Sequence, residues 1–175
     1  MTNKERPLCE LVLFHSTTKE NLKGIMKDGI KPGMKGGWCD LWIKQAEKEI
    51  PPLSKEEIET HKREMEEYKE ECKENIFVTS DFHHLEGSEV ILILCLPKKM
   101  VFVPSRSLQR LVPFEEWINL GDSVDDDILQ FIVKETIPPY YIIGYLEIEN
   151  PEKRVPYGNT GGTTFRINRN WKKVL

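Results

Sequence analysis

The most chemically loaded stretch of the chain is Phe14-His15-Ser16-Thr17-Thr18, where one imidazole and three hydroxyl groups follow the apolar run Leu11-Val12-Leu13-Phe14. That run reads as a strand, and Thr17 with Glu20 has the spacing of a capping box, so a helix is expected to begin at once. Leu22, Ile25 and Met26 then fall at i, i+3 and i+4 and give this helix one apolar face. Gly29 suits a left-handed C-cap with Ile30 as its hydrophobic closure, and Lys31-Pro32-Gly33 turns the chain away. The imidazole and its hydroxylic neighbours therefore stand where a strand gives way to a helix, whose first N–H groups lack intrahelical partners and carry partial positive charge. A ribose, an amide or a phosphate fits such a place. The plainer alternative is that His15 bonds backbone and Thr17 only caps the helix.

Other chemistry is sparser. The four cysteines, at 9, 39, 72 and 95, form no Cys-x-x-Cys pair. A zinc site from Cys39, His61, Cys72 and His83 fits no ligand-spacing template, so no metal is expected. Cys9 and Cys95 lie in apolar, strand-like surroundings and read as free thiols of a reduced, cytoplasmic protein. No apolar run approaches the roughly 20 residues of a membrane span. The longest candidate, Val90–Pro97, is strand-sized, and the opening Met1-Thr-Asn-Lys-Glu-Arg6 has no apolar core of a secretory signal. No membrane partner is expected. The net charge of −4 over 175 residues argues against a nucleic-acid footprint spread over the whole chain.

The elements that must position these groups follow from pattern. Ser54-Lys-Glu-Glu57 repeats the capping-box signal and opens a densely charged helix with Ile58, Met65 and Tyr68 as its only apolar positions, read as an insertion at about 52–74. Strands follow: Ile76-Phe-Val78 into Thr79-Ser80-Asp81, the near-continuous apolar Glu89–Leu96, Met100–Val103, Ile128–Val133 and Tyr141–Ile148. Pro113–Leu120 is expected as a short helix or turn. Helices early and strands late make an α+β chain with two small sheets. We expect one domain over 1–150 and a basic tail over 151–175, which holds six basic residues against Glu152. With Tyr157, Phe165 and Trp171 the tail either binds single-stranded nucleic acid or packs back on the acidic domain. Gly33 to Trp42, with two tryptophans, is a loop that either covers a cleft as a lid or packs its indoles on the core.

Phe14-His-Ser-Thr-Thr-Lys-Glu-Asn-Leu22, continued by Ile25-Met-Lys-Asp-Gly-Ile30-Lys-Pro32, resembles the first motif of the ADP-ribosyltransferase fold, nearest the branch of the DarT-like DNA ADP-ribosyltransferases and the RNA 2′-phosphotransferases. Ile76-Phe-Val-Thr-Ser-Asp81 resembles the second motif, and Gln130-Phe-Ile-Val133 followed by Ile137-Pro-Pro-Tyr-Tyr-Ile142 the third, in the expected order. The resemblance spans Leu11 to about Ile148. It implies two roughly orthogonal, antiparallel-rich sheets clasping NAD, a substrate of the reaction, in a cleft between them. His15 would bond the adenosine-side ribose, the Ser16 backbone would face the nicotinamide amide, and Thr17 and Asn21 would line the same wall. Phe77 or Thr79 would stand near the nicotinamide ring, where the family often carries Tyr, with Ser80 beside them.

The third motif carries the chemistry. In active transferases a Glu at the start of that strand holds the ribose 2′-hydroxyl while positive charge develops on the sugar, a state that a carboxylate stabilises. The matching position here is Gln130, which bonds a hydroxyl but brings no charge. Asp127 or Glu135 would supply the carboxylate in a shifted register. The expectation is an NAD-dependent ADP-ribosyltransferase acting on a macromolecule, with DNA, RNA and protein as candidate acceptors. Two alternatives stay open. One is an NAD- or ADP-ribose-binding module without transfer. The other is an RNA 2′-phosphotransferase in which Lys31, Lys35, Arg106 and Arg110 serve as phosphate contacts.

Overall fold

The computed structural model describes residues 9–33, 53–82, 85, 88–105, 107–121, 130–151 and 163–167. The Gly33–Trp42 loop beyond Gly33, the Asp125–Asp127 run, and the tail except 151 and 163–167 lie outside the described residues. Strands β1 (Leu11–Thr17), β2 (Ile76–Thr79), β3 (Val90–Leu96), β4 (Phe102–Ser105), β5 (Arg110–Pro113), β6 (Gln130–Val133), β7 (Ile142–Ile148) and β8 (Thr163–Ile167) form one sheet of eight in the order β5-β4-β6-β2-β1-β3-β7-β8. Every pairing in it is antiparallel. The architecture is α+β, with the strands joined in one sheet where the sequence pattern leads us to expect two.

The continuous apolar run is the centre of that sheet. β3 buries Val90, Leu92, Leu94 and Leu96 completely and pairs with β1 at seven positions, from Leu11↔Leu96 to Thr17↔Val90. On its other side it pairs with β7, with a register shift between Ile93 and Leu94. Full burial on both faces explains why its sequence does not alternate. β8 comes from the basic tail and pairs with β7 from Gly144↔Ile167 to Ile148↔Thr163. The Glu147 carboxylate accepts from Arg166 Nε at 3.1 Å across that edge.

The joint between β1 and β2 is much narrower. It has a single paired position, Phe14↔Thr79. Beyond β2 the ladder continues to β6 at four positions, from Ile76↔Val133 to Thr79↔Gln130. Two joints of the sheet thus have a single paired position, Phe14↔Thr79 between β1 and β2 and Phe102↔Ile132 between β4 and β6, and the first is a thin seam between the β1-β3-β7-β8 group and β2 with β6.

Helix α1 (Lys19–Asp28) packs Leu22, Ile25 and Met26 against the core, as its i, i+3, i+4 spacing requires. Its N-cap is Thr18, whose Oγ1 accepts from the Asn21 N–H at 3.3 Å. Thr17, the expected cap, is instead the last residue of β1 and pairs with Val90. Either hydroxyl suits a cap, and the length of the β1–β3 ladder decides between them. At the far end Gly29 has φ +86°, and its N–H donates to Ile25 O at 2.8 Å. A Cβ there would lie 2.3 Å from the carbonyl oxygen of Ile137, so only glycine fits this approach. Ile30 and Ile137, both buried, then exchange two backbone hydrogen bonds of 2.9 and 2.8 Å.

Helix α2 (Lys55–Cys72) has the expected capping box, with Ser54 and Glu57 bonding each other's backbone. Its charges are paired along its own surface, as in Glu59–Lys62 at 3.6 Å and Glu66–Lys69 at 3.2 Å. Such exposed pairs contribute roughly 0.2–1 kcal/mol each, so it is a solvated helix, as its composition implies. Helix α3 (Phe114–Leu120) follows β5, with Phe114 and Trp117 turned to the core. β5 itself was not expected from the sequence; four residues paired only to β4 leave too short a pattern to read.

The cysteine reading is corrected. Cys9 and Cys95 are not two free thiols but are joined in a disulfide, 86 positions apart in sequence and with Cα atoms 5.1 Å apart. That separation lies in the range that a disulfide spans. The bond pins the residues just before β1 to β3, beside the Glu10 N–H to Leu96 O bond of 3.2 Å. Among the described residues no helix is long and apolar enough to cross a membrane.

Candidate functional site

The seam between β1 and β2 is where the sequence-predicted residues meet. His15 sits on β1 opposite Leu92, and its half-buried ring crosses to β2, where Nδ1 lies 2.8 Å from the carbonyl oxygen of Phe77. A carbonyl only accepts, so Nδ1 carries the proton and donates. Burial pushes the imidazole pKa below its ordinary value of 6.5, and the bond to the Phe77 carbonyl opposes this in part. The ring is therefore neutral at pH 7, and its Nε2 is an unprotonated acceptor suited to a hydroxyl or amide donor. This one side-chain bond continues the β1–β2 connection past the single ladder pair. The Phe14 and Phe82 rings add an edge contact at 5.5 Å between centroids.

Thr79 and Gln130 are side by side. Phe14↔Thr79 and Thr79↔Gln130 form one row across β1, β2 and β6, and residues directly opposite one another share a face of a sheet. His15, the next residue after Phe14, leaves β1 on the other face, that of the core residue Leu13. The imidazole and the Gln130 side chain thus lie within two strands of each other but on opposite faces of the same seam. Thr79 is buried, and its hydroxyl is engaged with Asp81, accepting from the Asp81 N–H at 3.2 Å. Ser80 is exposed just beyond it, and Phe77 is half-buried.

Of the other predicted residues, Ser16 and Thr17 are half-buried at the end of β1, and Asn21 is exposed in the first turn of α1. Glu135 is exposed after β6; with Tyr140 and burial, the largest cause, it pushes the Tyr141 hydroxyl pKa up. Asp127 lies outside the described residues, as do Lys35 and Arg106. Arg110 is bound to Glu116 at 2.8 Å, so its guanidinium already has a carboxylate partner.

The helix start differs from expectation. The sequence reading leaves the first N–H groups of α1 open for an anion, but the Lys19 N–H donates to Glu89 Oε2 at 2.9 Å. With Asn21 and Leu22 bonded to Thr18, the first turn is largely satisfied from within the chain. Glu89 is the residue that sequence reasoning missed. It stands 70 positions from Lys19, and its only local signal is a carboxylate ahead of an apolar strand. Among the described residues no cluster of three metal-ligating side chains occurs.

No family model matches the chain, and no curated protein matches it. Among solved structures the chain is similar to one titled EcPltA, with a TM-score of 0.45 and 8% identity over 91% of this chain and 86% of that one.

Proposed function

We propose that the chain binds NAD at the β1–β2 seam as an ADP-ribosyltransferase-like protein that modifies a macromolecule. The observation that carries this reading is the imidazole of His15, held neutral with its Nδ1–H on Phe77 O, so that Nε2 is the acceptor offered to a ligand hydroxyl. The first motif, His15 to Asn21, and the second, Phe77 to Ser80, are brought together by that bond and by the Phe14↔Thr79 pair. The third motif is brought to the same row through Gln130. In this reading the two strand groups act as the two small sheets of the fold, and NAD lies along their junction.

His15 and the Ser16 backbone position the sugar and the carboxamide, and Gln130 approaches from the opposite face as a neutral hydrogen-bonding group. Transfer would break the bond between nicotinamide and ribose C1′, and the positive charge that develops on the sugar calls for a carboxylate. Loss of one group that stabilises a transition state costs about 2.7–4 kcal/mol. An uncharged Gln130 therefore favours a second reading, in which the seam holds NAD or ADP-ribose without transferring it.

The test is calorimetric titration of NAD together with assay of nicotinamide release in the presence of protein, DNA or RNA. Binding that His15→Ala weakens tenfold or more supports the site, since one buried acceptor lost is worth about 1–3 kcal/mol. Release of nicotinamide supports transfer. Binding without release supports the second reading, and gain of release in Gln130→Glu decides for it. Absence of NAD binding, or binding indifferent to His15→Ala, refutes both.

A further inference from the structure

The two outer edges of the sheet are built differently. At one end β5 closes on Pro113, which has no N–H to offer, and α3 follows at once from Phe114. Proline is one of the devices that blunt an exposed strand edge. At the other end β8 runs Thr163-Thr-Phe-Arg-Ile167, without proline, lysine or glycine. Among the described residues it pairs with β7 alone. The strand is held close to that neighbour: a Cβ on Gly144 would lie 2.5 Å from the carbonyl oxygen of Arg166. In an antiparallel ladder residues alternate in turning N–H and C=O toward the partner, so β8 presents the others outward. Its single charge, Arg166, is bound to Glu147 at 3.1 Å. Phe165 and Ile167, 50% and 49% exposed, share one face with their β7 partners Leu146 and Gly144.

An open edge of this kind takes another extended strand, and β8 is complementary to itself. A two-fold axis through Phe165, normal to the sheet, sets Phe165 against its own copy, Thr164 against the partner's Arg166, and Thr163 against the partner's Ile167. All five positions are then used, and no like charges stand opposite one another. An axis at Arg166 would oppose two guanidinium groups, and an axis at Thr164 would set Arg166 and Ile167 against residues ahead of the strand. With the axis at Phe165 the row from Leu146 to Phe165 continues into the same row of the partner, so the exposed aromatic ring gains an aromatic neighbour. The contact is isologous and closes on itself, so each copy uses up the other's open edge. We propose that β8 is a self-association edge, along which two copies of this chain pair antiparallel over Thr163–Ile167 and join their sheets. Five residues a side make a small contact, so the dimer exchanges with monomer as concentration changes. The inference is independent of the NAD reading, since β3 and β7 lie between β1 and this edge.

Two measurements on the full chain test it. The first is sedimentation equilibrium from micromolar to millimolar protein. The natural chain should show a monomer–dimer equilibrium. Phe165→Lys and Phe165→Glu each place like charges opposite one another at the axis and should each weaken the dimer about tenfold or more. Mixed in equal amounts the two variants should associate again, because lysine then faces glutamate. That rescue also shows that both variants are folded. A chain that stays monomeric at millimolar concentration, a dimer indifferent to both substitutions, or a mixture no more associated than either variant alone overturns the proposal. The second measurement needs no substitution: amide hydrogen exchange of the natural chain is followed at low and high concentration. Exchange within Thr163–Ile167 should slow as concentration rises, while exchange within Arg110–Val112 on the opposite edge stays the same. Exchange in β8 that does not depend on concentration, or slowing confined to another strand, overturns the proposal.

Discussion

β1 has a strand on each side, and the two sides differ. Toward β3 it pairs at seven positions, while toward β2 it pairs at one, with the His15–Phe77 bond and the Phe14–Phe82 ring contact beside that pair. The wide side is built of leucine and isoleucine layers that reach full burial, and it is pinned at one end by the Cys9–Cys95 bond. The narrow side carries polar groups on both faces: His15 on one, and Thr79 with, one strand further, Gln130 on the other. A ladder with every position paired leaves its backbone groups satisfied and its side chains packed, so nothing remains to hold a ligand. At the ladder with one pair, the His15 side chain rather than a backbone pair makes the next bond, to Phe77 O. Stability rests on the β3 side of β1, and the proposed function assigns recognition to the β2 side.

The largest effect should come from damaging the wide side. Leu94→Ala in β3 removes a fully buried side chain from the core cluster and should cost about 2–5 kcal/mol, read from urea unfolding. It should leave the residual ligand affinity of the folded fraction close to the natural value. Next is the clamp that ties α1 to the segment after β6. Gly29→Ala puts a methyl group 2.3 Å from Ile137 O at a φ of +86°, and should destabilise by about 1–3 kcal/mol. Gly24→Ala is its control: nothing lies within 4 Å of that Cβ in the exposed helix, and the change should stabilise by up to about 1 kcal/mol. Equal effects at the two glycines would show that the clamp does not hold.

The narrow side predicts a pH effect. His15 has its pKa lowered in the folded protein, so below the ordinary value of 6.5 the unfolded chain takes up a proton that the folded one resists. Its contribution to stability is full above that value and is lost as the pH falls through it toward the folded pKa. Unfolding midpoints from pH 8 down to pH 5 should show this loss, and His15→Gln should remove it while other titrations persist. The smallest effect belongs to α2. Lys69→Ala, which breaks an exposed pair with Glu66, should change stability by less than about 1 kcal/mol and leave any binding at the seam untouched.

What could be read in the sequence was mostly local. The cap at Ser54, the apolar face of α1, the stop at Gly29 and the continuous burial of β3 are each written within a few residues of where they act. Thr17 and Thr18 are indistinguishable as caps by type, and only the β1–β3 register separates them. The Glu89–Lys19 bond, the Ile30–Ile137 clamp and the Cys9–Cys95 link join residues 70, 107 and 86 positions apart. No spacing rule reaches that far. The candidate site shared this limit. His15 stood out by its neighbours, but that its ring would bridge to Phe77, and that Gln130 would meet the seam from the other face, depended on strand pairing.

The central claim is best tested by following the backbone amide resonances of the isotope-labelled protein while NAD is added. The account predicts that the largest changes fall on Ser16 to Asn21 and on Phe77 to Ser80, on both sides of the seam at once, and that they shrink in His15→Ala. Changes confined to β4, β5 and α3, or no change at millimolar NAD, would contradict it.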